Sequence, residues 1–117
     1  MAEDLLDYWL RIVRPVFPEN AWIIGRISKG DHVIEIDWQL GSDPALPQRR
    51  SKKIEIIIQE QAIDAYLDKT KSERPLSEDN IKNWISERYM NFNPEQDPKS
   101  YRAASVDRWR LSKDIVG

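Results

Sequence analysis

The sequence predicts a single α+β domain of two layers, in which helices pack on a three-stranded antiparallel meander. Apolar residues recur at every second position in the segments 33–40 and 53–59, which is the period of a half-buried strand. The segments on either side have the period of amphipathic helices instead. The expected order is α-β-β-β-α-α followed by a C-terminal tail, and residues 1–117 are too few for a second core.

The first element is an amphipathic helix, expected over residues 3–14. Its apolar face consists of Leu5, Leu6, Trp9, Ile12 and Val13. Acidic residues in its first turns and arginines in its last turn complement the helix dipole. Pro15 should end the helix, because the proline ring cannot continue the hydrogen-bond ladder.

A β-hairpin is expected next, with strands over residues 21–28 and 32–40. Gly30-Asp31 is the predicted two-residue loop, since glycine tolerates the positive φ of a primed turn. This register sets Arg26 directly opposite Glu35. Opposite charges at such positions stabilise a sheet by about 0.2–1 kcal/mol.

The third strand is expected over residues 52–59, after a connection, residues 41–51, that contains two prolines and a glycine. Loops of this length are often functional. The predicted core brings strand residues together with helix residues, namely Ile34, Ile36, Trp38, Ile54 and Ile56 with Leu6, Trp9 and Trp84. Four of the five tryptophans are expected to contribute to it.

Two helices are expected after the sheet, over residues 60–71 and 78–92, with Ser77 as the N-cap of the second. Two assignments stay open for the tail, residues 99–117. Tyr101, Ala104, Arg108 and Trp109 fit a helix, whereas Val106–Leu111 fits a short edge strand.

Composition argues against most catalytic chemistry. The absence of cysteine excludes disulfides, thiolate metal sites and thiol nucleophiles. His32 is the only histidine and lies beside a tight turn, so neither a serine–histidine pair nor a zinc cluster is expected. Four glycines do not form a phosphate-binding loop. We therefore predict no enzyme, with no catalytic, cofactor-binding or metal-binding residue.

One enzyme class needs a closer comparison, because the α-β-β-β-α order is also the core layout of many restriction-type nucleases. Their metal site needs an acid on one strand and a Glu-x-Lys pair on the next. Asp37 and Glu55 stand where the acids would be, but Ile57 occupies the position of the lysine. Alternation alone predicts acids on the polar face of a sheet, so these residues are interpreted as that face.

Charge is distributed unevenly along the chain, whose net charge is −2. Residues 41–60 and 98–117 are basic, and the rest is acidic. The candidate binding patch takes cations from both basic segments, namely Arg49, Arg50, Lys52, Lys53, Arg108 and Arg110. The overall charge disfavours nucleic acid as the partner, although a local patch can act within an acidic whole.

These observations predict a non-catalytic interaction module with a protein partner, and self-association is one form that this binding can take. The alternative is a nucleic-acid-associated protein that uses the basic patch, or a diverged nuclease-like domain. No cofactor is expected. The acidic start, the lack of cysteine and the lack of a long apolar run predict a cytoplasmic protein that does not enter membranes.

Overall fold

A computed structural model describes residues 2–38, 53–92 and 106–117. Its elements are α1 (Ala2–Val13), a 3₁₀ turn (Arg14–Val16), β1 (Trp22–Ser28), β2 (Asp31–Asp37), β3 (Lys53–Ile58), α2 (Glu60–Leu67), α3 (Arg74–Met90), β4 (Val106–Leu111) and α4 (Lys113–Val116). Helices pack on a sheet, so the predicted α+β class is confirmed. Among the described helices, none is long and apolar enough to cross a membrane.

The described sheet has four strands rather than the three predicted, in the order β1-β2-β3-β4. β1 pairs with β2 and β2 with β3 in antiparallel fashion, and β4 runs parallel to β3. The parallel pair needs a long crossover, which α2 and α3 provide. Of the two structures considered for the tail, a helix or a short edge strand, Val106–Leu111 forms the strand. Tyr101 and Ala104 lie outside the described residues.

The predicted core is largely confirmed. The five strand residues Ile34, Ile36, Trp38, Ile54 and Ile56 are buried together with Trp9, and Leu6 and Trp84 are partly buried. Trp109 of β4 is also buried, which leaves Trp22 as the exposed tryptophan. Burial of large apolar side chains between the sheet and the helices is what holds the two layers together.

Gly25 allows α1 to lie close to β1. A Cβ atom at this position would stand 3.0 Å from Cδ1 of Leu6, which is closer than a side chain normally tolerates. The side chain of Leu6 thus fills the space that any other residue would occupy at position 25. The glycine in the middle of this strand marks a close approach of a neighbouring element.

The hairpin register differs from the prediction by two residues. Lys29 and Gly30 are the two central turn residues, with φ values of 52° and 88°. Both φ angles are positive, as a type I′ turn requires, and glycine then stands at its second central position. Asp31 is thereby placed in β2, where its Oδ1 accepts a hydrogen bond from the backbone N–H of Glu60 at 2.9 Å. Arg26 consequently lies opposite Val33 rather than Glu35, but the predicted cross-strand ion pair with Glu35 still forms diagonally, at 3.3 Å.

The predicted start of α3 was also wrong, because Ser77 lies buried inside the helix and does not cap it. Helix α3 begins earlier, at Arg74, after a turn that starts at Thr70. The backbone N–H of Thr70 donates to Oε1 of Glu73 at 2.9 Å. Pro75 in the first turn suits a helix start, since its missing N–H needs no partner there. Because the turn into α3 starts at Thr70, α2 ends at Leu67 rather than at the predicted residue 71.

Candidate interaction surface

The sheet has one face that the described helices leave uncovered, here called the open face. Strand registers place its side chains in rows that run across all four strands. The middle row contains Ile24, Glu35, Glu55 and Arg108. Because side chains alternate along each strand, the row beside it contains Arg26, Val33, Ile57 and Arg110.

An ion-pair network crosses the middle of the open face. Nη2 of Arg26 lies 3.3 Å from Oε1 of Glu35 and 3.7 Å from Oε1 of Glu55. Nε of Arg108 lies 3.4 Å from Oε2 of Glu55, and Nζ of Lys53 lies 3.8 Å from Oε2 of Glu35. The Arg26 side chain therefore reaches from β1 across β2 to β3. Val33 on β2 is only 4% exposed, which fits its place beneath such a crossing.

The candidate basic patch can be located only in part. Lys53, Arg108 and Arg110 lie on the open face of two neighbouring strands, so the two basic segments do come together there. Two of these three cations, however, face glutamates of the same surface. Arg49, Arg50 and Lys52 lie outside the described residues.

The nuclease-type acids do not share a pocket. A depression of about 330 Å³ brings Asp37 beside Glu35 and Lys53, whereas Glu55 is not part of its lining. Glu55 faces Arg26 and Arg108 instead, and its side chain is 13% exposed. Within the described ranges, no group of three His, Cys, Asp or Glu side chains is placed to hold a metal ion.

The outer strand β1 carries most of the apolar exposure near the sheet. Trp22 is 62% exposed, Ile24 44% and Ile27 46%, although all three belong to a regular strand. Trp22 and Ile24 lie on the open face, whereas Ile27 lies on the helix face. This surface was not among the residues predicted from the sequence to bind a partner. The sequence nevertheless contains a sign of it. Apolar residues occupy both odd and even positions of this strand, which a strand with a single buried face does not explain.

The other outer strand, β4, is protected in a way that β1 is not. Three of its six residues are charged, namely Asp107, Arg108 and Arg110, and all three are exposed. β1 has one charged residue among seven, Arg26, whose guanidinium points inwards to the glutamates. Charges on an outer strand discourage pairing with another chain. The unprotected outer strand is thus β1.

Turn geometry identifies which backbone groups of β1 are available. A two-residue type I′ turn makes the residues that flank it a hydrogen-bonded pair, so Ser28, opposite Asp31, directs its backbone groups towards β2. Along an antiparallel strand this direction alternates. The residues whose N–H and C=O groups point away from β2 are therefore Ile23, Gly25 and Ile27. No described strand lies beyond them.

His32 is a structural residue rather than a free base. It is buried on the helix face of β2, and its Nδ1 accepts a hydrogen bond from Nε1 of Trp9 at 3.1 Å. Burial lowers the pKa of His32, because it disfavours the charged imidazolium, while the charge of Asp31 opposes this shift. Close by, the Tyr8 hydroxyl donates to Oε2 of Glu78 at 2.6 Å, which ties α1 to α3.

Comparison with protein-family models, with curated proteins and with solved structures finds no match to this chain.

Proposed function

We propose that this protein is a non-catalytic interaction module that binds an extended protein segment along the outer edge of β1. The observation that carries the proposal is the exposure of Trp22, Ile24 and Ile27 on one outer strand. An added strand would bond to the outward N–H and C=O groups, and its side chains would cover these apolar residues on both faces. Main-chain hydrogen bonds then supply affinity, and the alternate side chains supply specificity.

The charges of the open face favour a protein partner over a polyanion. Phosphates would have to displace Glu35 and Glu55 from Lys53 and Arg108 before they could use those cations. Lysine and arginine contacts to phosphate dominate nucleic-acid affinity, and cations already paired contribute less to it. A reducing cytoplasmic setting is part of the proposal, since a chain without cysteine needs no oxidising compartment.

Selection of short random peptides against the protein tests the proposal. We expect selected peptides that alternate apolar and polar residues and that protect the backbone amides of Ile23, Gly25 and Ile27 from hydrogen exchange. Ile24→Lys should weaken their binding by about tenfold or more, since it places a charge in the contact. The matched control is Leu76→Lys, at a residue of α3 that is 67% exposed.

Three results would contradict the proposal. Either no peptide is enriched over a scrambled library, or the enriched peptides bind wild type and Ile24→Lys equally well. Protection confined to residues away from β1 would likewise place the binding surface elsewhere.

A further inference from the structure

We infer that a second copy of this chain is an occupant of the β1 edge, in an antiparallel β1–β1 pair centred on Gly25. The inference rests on the proposed function and names the partner. It would join two four-stranded sheets into one continuous sheet with a two-fold axis through the centre of the pair.

Backbone geometry selects the register. Antiparallel partners exchange hydrogen bonds only where both residues direct their N–H and C=O groups towards each other. With Gly25 opposite Gly25 of the other copy, Ile23 falls opposite Ile27, and all of the outward-pointing residues of β1 form hydrogen-bonded pairs. A shift by two residues towards the C-terminus would place Arg26 in the non-bonded row opposite its own copy, and like charges there are destabilising. A shift by two residues towards the N-terminus would place Ile27 opposite Ala21, outside β1, so the outward N–H and C=O groups of Ile27 would lose their strand partner.

Side chains on both faces suit this register. On the helix face, Ile23 of each copy meets Ile27 of the other. On the open face, Ile24 lies directly opposite Arg26 of the second copy and diagonally across from its Ile24, and the guanidinium of Arg26 is directed away from the axis, towards Glu35. Ile23 and Ile27 thus become direct partners across the axis and Ile24 meets its own copy diagonally, which is the self-complementarity that a two-fold interface requires.

The flank of α1 above this edge is also apolar. Leu6 lies over Gly25, and Leu10, one turn later, continues the same side of the helix. Tyr8 points to the opposite side, where it bonds to Glu78 of α3. Because both copies carry their helices on the same face of the joined sheet, the two Leu6–Leu10 flanks would approach each other across the axis. Contact between them adds apolar burial to the strand pairing.

Sedimentation velocity over a range of concentrations tests for the dimer. We expect a concentration-dependent dimer that Ile27→Pro abolishes. Proline removes an outward N–H and blocks the edge, but it takes no hydrogen bond from the β1–β2 ladder. If Ile27→Pro fails to fold, as judged by tryptophan fluorescence, Ile27→Lys serves instead. Leu76→Lys is the matched surface control and should dimerise like wild type.

Cross-linking tests the register, because the natural chain contains no cysteine. Ile24→Cys should be joined to its copy by a short bismaleimide, since diagonal Cβ atoms are about 7–8 Å apart. Trp22→Cys should not be joined, because its copy would lie about 20 Å away along the strands. Equal cross-linking at both positions would overturn the Gly25-centred pair.

A protein that stays monomeric at every concentration, or a dimer that persists in the Ile27 variants, would also overturn the inference. The peptide experiment separates this failure from a failure of the proposed function. If selected peptides still protect the β1 edge, only the second copy is excluded as its occupant; if they do not, both proposals fall.

Discussion

Glu35 and Glu55 lie directly opposite each other on β2 and β3, yet both are held by the same arginine. Two carboxylates in that position repel each other unless a cation stands between them. Arg26 reaches both from β1, and Lys53 and Arg108 each approach one of them from the other side. The network explains how two facing glutamates are tolerated on this face and why few of its charges remain available to a ligand.

Removal of the shared cation should therefore destabilise the sheet. Arg26→Met keeps much of the aliphatic stem over Val33 but leaves the two glutamates facing each other. We expect a loss of about 1 kcal/mol in the free energy of unfolding, since exposed ion pairs contribute little individually. Urea denaturation at low salt measures it, and added salt should shrink the difference between variant and wild type.

A double-mutant cycle separates repulsion from lost packing. In a Glu55→Gln background the same Arg26→Met change should cost less, because one of the two facing charges is gone. An identical loss in both backgrounds would mean that Arg26 acts through packing alone.

Ile36→Asp should unfold the domain. Ile36 is buried on the helix face of β2 and pairs with Ile23 and Ile54, so a carboxylate there would have no partner or water. The expected loss is about 4 kcal/mol or more, which is a large part of the stability of a small domain. Ile24→Asp, on the exposed face of β1, is the matched control. A cooperative thermal transition near that of wild type for Ile36→Asp would mean that the buried face is misassigned.

Strand alternation was sufficient to predict the buried face of the sheet, because Ile34, Ile36, Ile54 and Ile56 have no other explanation than a common core. It was insufficient for β4, since Val106–Leu111 is short and the residues on its helix face include the exposed Asp107. That carboxylate accepts a hydrogen bond from Nε1 of Trp109 at 3.2 Å. A polar residue on the inner face is tolerated there because β4 lies at the edge of the sheet.

The start of α3 and the position of the hairpin turn were predicted wrongly because another local signal was stronger in each case. Ser77 before an apolar helix looks like an N-cap, but the helix already begins at Arg74, and tertiary packing buries Ser77 within it. The turn was misplaced because Lys29 adopts a positive φ that a non-glycine residue rarely takes. The apolar residues on both faces of β1 were visible in the sequence, but their place at an outer edge was not, since whether β1 is an outer strand depends on where β4 adds to the sheet.

Acid should weaken the fold through His32. Its pKa is lowered by burial in the folded state, so below the unfolded value of 6.5 the unfolded chain binds more protons. Stability is then lost as the pH falls from about 6.5 through the folded pKa. Protonation of Nδ1 would also remove the acceptor for Trp9. Urea denaturation followed by tryptophan fluorescence between about pH 7 and pH 5 measures the effect.

His32→Gln is the control, because it keeps a polar acceptor but does not titrate. We expect a flatter stability profile in this variant over the same range. Glu73 and Glu78 have lowered pKa values, owing mainly to hydrogen bonds with Thr70 and Tyr8 respectively, so their own contributions are lost at lower pH, below 4.5. An unchanged slope in His32→Gln would assign the acid sensitivity to another group.

Wild-type protein should bind duplex DNA or RNA weakly at low salt and should not cleave either in the presence of magnesium or manganese. Glu35→Gln with Glu55→Gln releases Arg26, Lys53 and Arg108, and this double variant should gain duplex affinity that falls steeply with salt. Fluorescence anisotropy with labelled duplexes measures both proteins. Further replacement of Lys53, Arg108 and Arg110 by Ser should remove the gain, because it removes the cations that the glutamates had occupied.

Tight wild-type binding that disappears when Arg49, Arg50, Lys52 and Lys53 are replaced by Ser would instead make nucleic acid the partner. Cleavage lost in Asp37→Ala or Glu55→Ala would identify a nuclease.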